Sequence, residues 1–294
     1  VPSTRAPSRS PRRWTWLLTD DGAGAAPHEH SVAGNAAGAG NTADSAGQPW
    51  KGRHFEAHAG APGDEPDDGT APPALLVALE RFRAGTATQG EVVDALRSVR
   101  VLVPLVAHAG DEGLTDAGLR VDKTQELSLV TVGGPDGRTV LPAFSSVTAL
   151  SAWNPKARPI PVDARRAALA AAAEGTELIV LDPGSPTEFA LRRPAVWALA
   201  QDTPWQPAVD DPAVIGAFER SIQGEPVVAG ILVIAGDAQA RLSAPELVVV
   251  LALAPGLDQQ QLQSLVASLQ ENWAADEVIA NRVDSLSVRL TALS

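Results

Sequence analysis

From residue 73 onward, apolar positions recur either every three to four residues or every second residue, and the two periods mark helices and strands. Leu75, Leu79 and Phe82 share one helical face, and Gly85 stands where a C-terminal cap belongs. Thr88 and Glu91 have the spacing of a capping box. They predict a second helix with Val92, Leu96 and Val99 on its buried face. RVLVPLVA at 100–107 reads as a strand, placed at an edge or a bulge because Pro104 has no amide proton to donate. ELSLVTV at 126–132 alternates, GGPDG at 133–137 is turn chemistry, and RTVLPAF at 138–144 returns as the partner strand.

Ser145 and Ser146 then precede a short apolar run in which Val147, Leu150 and Trp153 are expected to face the core, stopped by Asn154-Pro155. Asp163 is placed to cap an alanine-rich helix that ends at Gly175. ELIVLDPG at 177–184 is a buried strand running into an Asp-Pro-Gly turn, and TEFALRR at 187–193 pairs back. Pro194 opens a helix carrying Val196, Trp197 and Leu199. DTPWQPAVDD, at 202–211, is rich in Pro and Asp and reads as a boundary. Beyond it come a helix with Ile215, Phe218 and Ile222 on one face, strands at 226–236 and 245–254, and a helix capped by Asp258 and Gln261. That last helix sets Leu262, Leu265, Val266, Leu269 and Trp273 on one stripe. The final strand, 285–290, points Leu286, Val288 and Leu290 inward and Ser287 and Arg289 outward, so its sheet has one wet face.

This order predicts an α+β fold: two small mixed α/β domains with largely antiparallel sheets, over 71–208 and 209–294, the second running α-β-β-α-β. Residues 1–70, rich in Gly, Ala, Ser, Pro, Asp and His, lack apolar periodicity and are expected to form a disordered tail. A length of 294 residues suits about two domains. With 4% aromatic residues and no Tyr, the cores must rest on Leu, Val and Ala. Absence of Cys excludes disulfides, thiolate nucleophiles and thiolate metal sites. Absence of Met, with Val1 first, is what a GTG start codon gives when translated literally, and the extreme N-terminus is expected to lie upstream of the true start.

A net charge of −12 repels phosphate backbones and anionic lipid, so neither nucleic acid nor membrane is an expected partner. No apolar run reaches the roughly 18–20 residues that cross a bilayer. In RRWTWLL the run after the arginines is shorter than the about 7–15 apolar residues of a secretory signal. The expected location is the cytoplasm.

Candidate chemistry is sparse. A serine nucleophile needs a base, and His108 is the one histidine beyond residue 70. A hydrolase or transferase using Ser145 or Ser146 with His108 is the enzyme reading. Against it, there is no Gly-x-Ser-x-Gly elbow, and two serines before an apolar helix are ordinary N-cap residues. The histidines at 28, 30, 54 and 58 lie in the expected tail, so no metal is assigned, and no phosphate-cradling motif calls for a cofactor. The adjacent carboxylates Asp111 and Glu112, Asp210 and Asp211, and Asp276 and Glu277 read as solvated loop residues. LDPGSPTEFALRRP gathers Asp182, Glu188, Arg192 and Arg193 around one hairpin. Two arginines at a helix N-terminus oppose the helix dipole, so they are expected to meet an acid, either Glu188 or an external anion. A small anionic ligand held by Arg192 and Arg193 is therefore a further reading.

VDKTQELSLVTVGGPDGRTVLPAFSSVTALSAWNP at 121–155 and ALAAAAEGTELIVLDPGSPTEFALRRPAVWALA at 168–200 resemble the SseB family, named for enhanced serine sensitivity, in the long form common in actinobacteria. The resemblance runs from about Trp50 to the end and is strongest over 123–153 and 177–205, with 211–294 similar to the family's C-terminal domain. It implies no catalytic residues. The expected role is a non-enzymatic cytoplasmic interaction or regulatory protein with a protein partner. Arg192, Arg193, Asp182, Glu188 and Lys123 are the candidate contact residues, and Ser145 and Ser146 are helix caps.

Overall fold

A computed structural model describes residues 67–105, 112–114, 120–122 and 130–292. The expected tail up to residue 66, the five histidines and Lys123 lie outside the described residues. Helix α1 (Pro73–Arg83) buries Leu75, Ala78, Leu79 and Phe82, and Gly85, at φ +73°, turns the chain away from it. Helix α2 (Gln89–Leu96) has a complete capping box. The Thr88 hydroxyl accepts from the Glu91 amide, and the Glu91 carboxylate accepts from the Thr88 amide. Strand β1 (Arg100–Leu105) is followed by a short antiparallel pair, β2 (Glu112–Leu114) and β3 (Arg120–Asp122). A hairpin, β4 (Val132–Gly133) and β5 (Thr139–Ala143), then leads to α3 (Val147–Trp153).

β6 (Arg158–Asp163) pairs back antiparallel to β1, with Pro104 opposite Pro159. Neither proline can donate to a ladder, so both sit in a two-stranded ribbon, joined to the main sheet through a Leu102–Phe144 bridge. α4 (Ala164–Ala173) is capped by Asp163, whose carboxylate accepts from the amides of Arg165 and Arg166. β7 (Ile179–Leu181) lies parallel to β5, and β8 (Phe189–Leu191) antiparallel to β7, giving the order β4-β5-β7-β8. α5 (Arg193–Gln201) follows directly.

The C-terminal part comprises α6 (Pro212–Ser221), β9 (Val228–Ala235), β10 (Leu247–Leu253), α7 (Gln259–Ala275), α8 (Glu277–Arg282) and β11 (Leu286–Ala292). β10 pairs antiparallel with β9 and parallel with β11. The fold is α+β with mixed, largely antiparallel sheets, and the described residues from Gly69 on group as one unit.

Side-chain alternation along the four-stranded sheet explains how it is covered. Leu141, Ala143, Ile179, Leu181, Phe189 and Leu191 face α1, α2, α4 and α5 in one core. Val140, Val180 and Ala190 point to the opposite face with Val132 and Leu178. A separate core joins Val214 and Phe218 of α6 with Leu247, Val249 and Leu251 of β10, and with Leu265, Leu269 and Trp273 of α7.

Two apolar residues expected inside, Val147 (38%) and Leu290 (41%), are exposed, and so is Trp197 of α5 (39%). α3 has only two turns and buries Leu150 alone, while Val147 sits at its first position with its amide bonded to the Gly69 carbonyl. Trp197 lies on the side of α5 away from the sheet, and β11 becomes more exposed towards its C-terminal end. α8 was not expected. Six residues carry too little periodicity to announce a helix, although Asp276 caps it through the amides of Val278 and Ile279.

The β9–β10 connection, residues 236–246, leaves its own sheet and lies against β8. Ala190 donates to the Ala240 carbonyl at 2.8 Å, Ala240 joins the first core and Leu242 the cluster on the opposite sheet face. Both residues have left-handed backbone, φ +47° and +51°. That conformation costs a non-glycine residue about 1–2 kcal/mol.

Candidate functional site

The two serines have different roles. Ser146 is the N-cap of α3, its hydroxyl accepting from the Ala149 amide at 3.1 Å, a contact worth about 0.5–2 kcal/mol. Ser145 is not a cap, which corrects the expectation for that residue. Its hydroxyl donates to Asp182 Oδ2 at 2.7 Å and its amide to Asp182 Oδ1 at 2.8 Å. The pairing arises because β5 and β7 lie side by side and both chains turn at the same end of the sheet. Asp182 holds a left-handed backbone, φ +46°, which aspartate tolerates better than most residues.

Thr187 donates a third hydrogen bond to Asp182, at 2.8 Å. Burial pushes the Asp182 carboxyl above the ordinary carboxylate range, opposed by the hydrogen bonds from Ser145 and Thr187. Ser145 is 3% exposed and Asp182 1%. A nucleophile must touch its substrate, and this hydroxyl lies beneath the surface.

Arg192 is also buried, and the acids that meet it are Asp284 and Asp237 rather than Glu188. One guanidinium nitrogen donates to Asp284 Oδ2 at 3.0 Å and to the Ser285 hydroxyl. The other donates to Asp237 Oδ2 and to the Ala244 carbonyl, both at 2.8 Å. Arg138 adds a two-pronged contact to Asp284, at 3.0 and 2.9 Å. Burial would raise the Asp284 carboxyl, but the hydrogen bonds and charge of Arg138, then of Arg192, outweigh it and hold it below the usual range. Arg193 donates to the carbonyls of Ala280 and Val283 at 2.7 and 2.8 Å. Those carbonyls lie at the C-terminal end of α8, where unpaired acceptors and the negative dipole end favour a cation. The arginine pair that opposes its own helix dipole thus serves the C-terminal part of the chain.

Glu188 is 1% exposed. Its Oε2 accepts from the Gly184 amide at 2.6 Å, while Oε1 has no hydrogen-bond partner. Arg241 Nη1 is 3.9 Å from that oxygen. Arg83 donates to the Glu188 carbonyl through one nitrogen and to the Gln239 carbonyl through another, yet its buried Nε is also without a partner. A buried polar atom left unsatisfied costs about 1–3 kcal/mol. Among the described residues, no group of three or more His, Cys, Asp or Glu is placed to hold a metal ion.

An open cleft lies where α5 meets α8, with a volume of about 900 Å3. Arg193, Trp197 and Gln201 follow one another along α5 at four-residue spacing, opposite Asn281 and Arg282, with Trp205 in its wall. Arg282 is tied to Asp211 at 2.8 Å, and the Trp197 indole stands 3.5 Å from Glu177 Oε1. The sequence reading missed this site because α5 and α8 are far apart in the chain and α8 was not expected. It also missed Asp237 and Asp284, which stand 45 and 92 residues from Arg192 with no local pattern to link them.

Residues 74–198 match the family model described as the SseB protein N-terminal domain. The chain carries an SseB N-terminal domain over these residues. The SseB N-terminal domain thus holds Ser145, Asp182, Glu188, Arg192 and Arg193, whereas the aspartates that meet Arg192 lie beyond the matched residues. No curated protein and no solved structure matches the chain. No helix among the described residues is long and apolar enough to cross a membrane.

Proposed function

We propose that this SseB chain is a non-enzymatic, cytoplasmic interaction protein, that residues 209–294 are the family's C-terminal domain, and that the recognition surface is the cleft between α5 and α8. The observation that carries the reading is that a 39% exposed Trp197 and Trp205 both line an open cleft of about 900 Å3. Tryptophan and arginine dominate binding energy at protein interfaces, because they bring large contact area together with a polar handle. The burial of Ser145 supports binding over acyl transfer. The separate apolar core of residues 208–288 supports the second domain.

The test compares wild type with Trp197→Asp, both as the full chain, in affinity capture from the native host with quantitative mass spectrometry. Trp197 lies outside the core, so the melting temperature should be unchanged. Partners held by wild type should fall at least tenfold in the variant. Equal recovery of the same partners by both proteins would remove the cleft from the proposal.

A further inference from the structure

We infer that the groove along β8 is a recognition site for a short looped segment of a partner protein, and that residues 236–246 are its displaceable internal occupant. The inference does not depend on the Trp197 cleft. The groove reads its present occupant in three ways. Arg192 meets Asp237 at 2.8 Å. The occupant's backbone carbonyls are met by one main-chain amide, Ala190 donating to Ala240, and by two guanidinium groups, Arg83 donating to Gln239 and Arg192 to Ala244. Two apolar seats take Ala240 and Leu242, 2% and 1% exposed. Together these specify Asp-x-x-Ala-x-Leu, laid along the outer strand of the described sheet. Side-chain seats for the Asp, the small residue and the Leu supply selectivity.

The occupant fits this groove imperfectly. Among the described residues, the two buried side-chain atoms without a partner, Arg83 Nε and Glu188 Oε1, belong to residues in contact with it. Arg241 approaches Glu188 only to 3.9 Å, and Ala240 and Leu242 both hold left-handed backbone. A partner segment that keeps the Asp, the small residue and the Leu, and brings a basic side chain within hydrogen-bond reach of Glu188, gives Oε1 the hydrogen bond that the chain's own Arg241 does not reach. A second copy of this chain would bring the same connection with the same faults, so the occupant is a segment of a different protein.

The test uses the full chain with residues 237–243 replaced by seven Gly and Ser residues, and a fluorescein-labelled peptide of residues 235–247, followed by fluorescence anisotropy. The peptide should bind the replaced chain at least tenfold tighter than wild type, and Asp237→Ala or Leu242→Ser in the peptide should each weaken it at least tenfold. A folded replaced chain that ignores the peptide, equal binding to wild type, or indifference to both substitutions would overturn the inference. Should the replaced chain not fold, hydrogen exchange on wild type decides. The amides of Ala190 and Arg241, bonded to and within the connection, should exchange at least tenfold faster than those of the β7–β8 ladder. Equal protection would overturn the inference.

Discussion

Replacing Arg192 with alanine is expected to lower the unfolding free energy by about 3–5 kcal/mol, the usual cost of removing one member of a buried ion pair. For a folded region of this size, that corresponds to a fall in melting temperature of roughly 6–20 °C. The side chain is 6% exposed and makes four hydrogen bonds, two of them to carboxylates with 1% and 2% side-chain exposure. Asp284 keeps Arg138 as a partner in the variant, so Asp237 bears most of the loss, softened by its bonds from Ser243 and the Arg241 amide. Lysine should recover little, because one ammonium lacks the two-sided reach of a guanidinium.

The pH dependence follows from Asp284. Its folded pKa lies below the ordinary value, so its contribution is present above the unfolded pKa of about 4 and is lost as pH falls through the folded value. Thermal melts of wild type and Arg192→Ala should therefore converge towards acid. A variant that melts with wild type at neutral pH would show that the two halves are held by something other than this contact.

Asp182→Ala is expected to destabilise the chain by about 2–4 kcal/mol, since it strips the acceptor from three donors, two of them on buried Ser145. Alanine also fits the left-handed backbone at this position less well than aspartate. Asp182→Asn should cost less, because both hydroxyls can turn to accept from the amide nitrogen. The pH effect has the opposite sign to that of Asp284. A carboxyl whose folded pKa is raised favours folding below the unfolded pKa, and this contribution is lost as pH rises through the folded value. Denaturant titrations from pH 4 upward should show Asp182→Asn gaining on wild type as pH rises. A constant difference across that range would mean that Asp182 does not titrate as its burial implies.

Local chemistry was legible in the sequence where a cap or turn stands beside a clear periodic run, and not at Asp276, whose cap precedes a helix of only six residues. Thr88 with Glu91, Asp258 with Gln261, and the hairpin across 133–137 all form as their spacing predicts. Contacts across the fold were not legible. Ser145 and Asp182 meet because β5 and β7 are parallel neighbours, a pairing that neither segment encodes alone. The arginines at 192 and 193 stood out as unusual at a helix start, yet their partners depend on how the C-terminal part docks. The connection 236–246 drew no reading between its two expected strands, because a loop buried by its neighbours carries no periodic signal of its own.

On this reading Ser145 is structural and the chain works by binding. Intact-mass analysis after incubation of the folded full chain with a fluorophosphonate probe tests this most directly. No adduct is the predicted result, and an adduct mapped to Ser145 would contradict it.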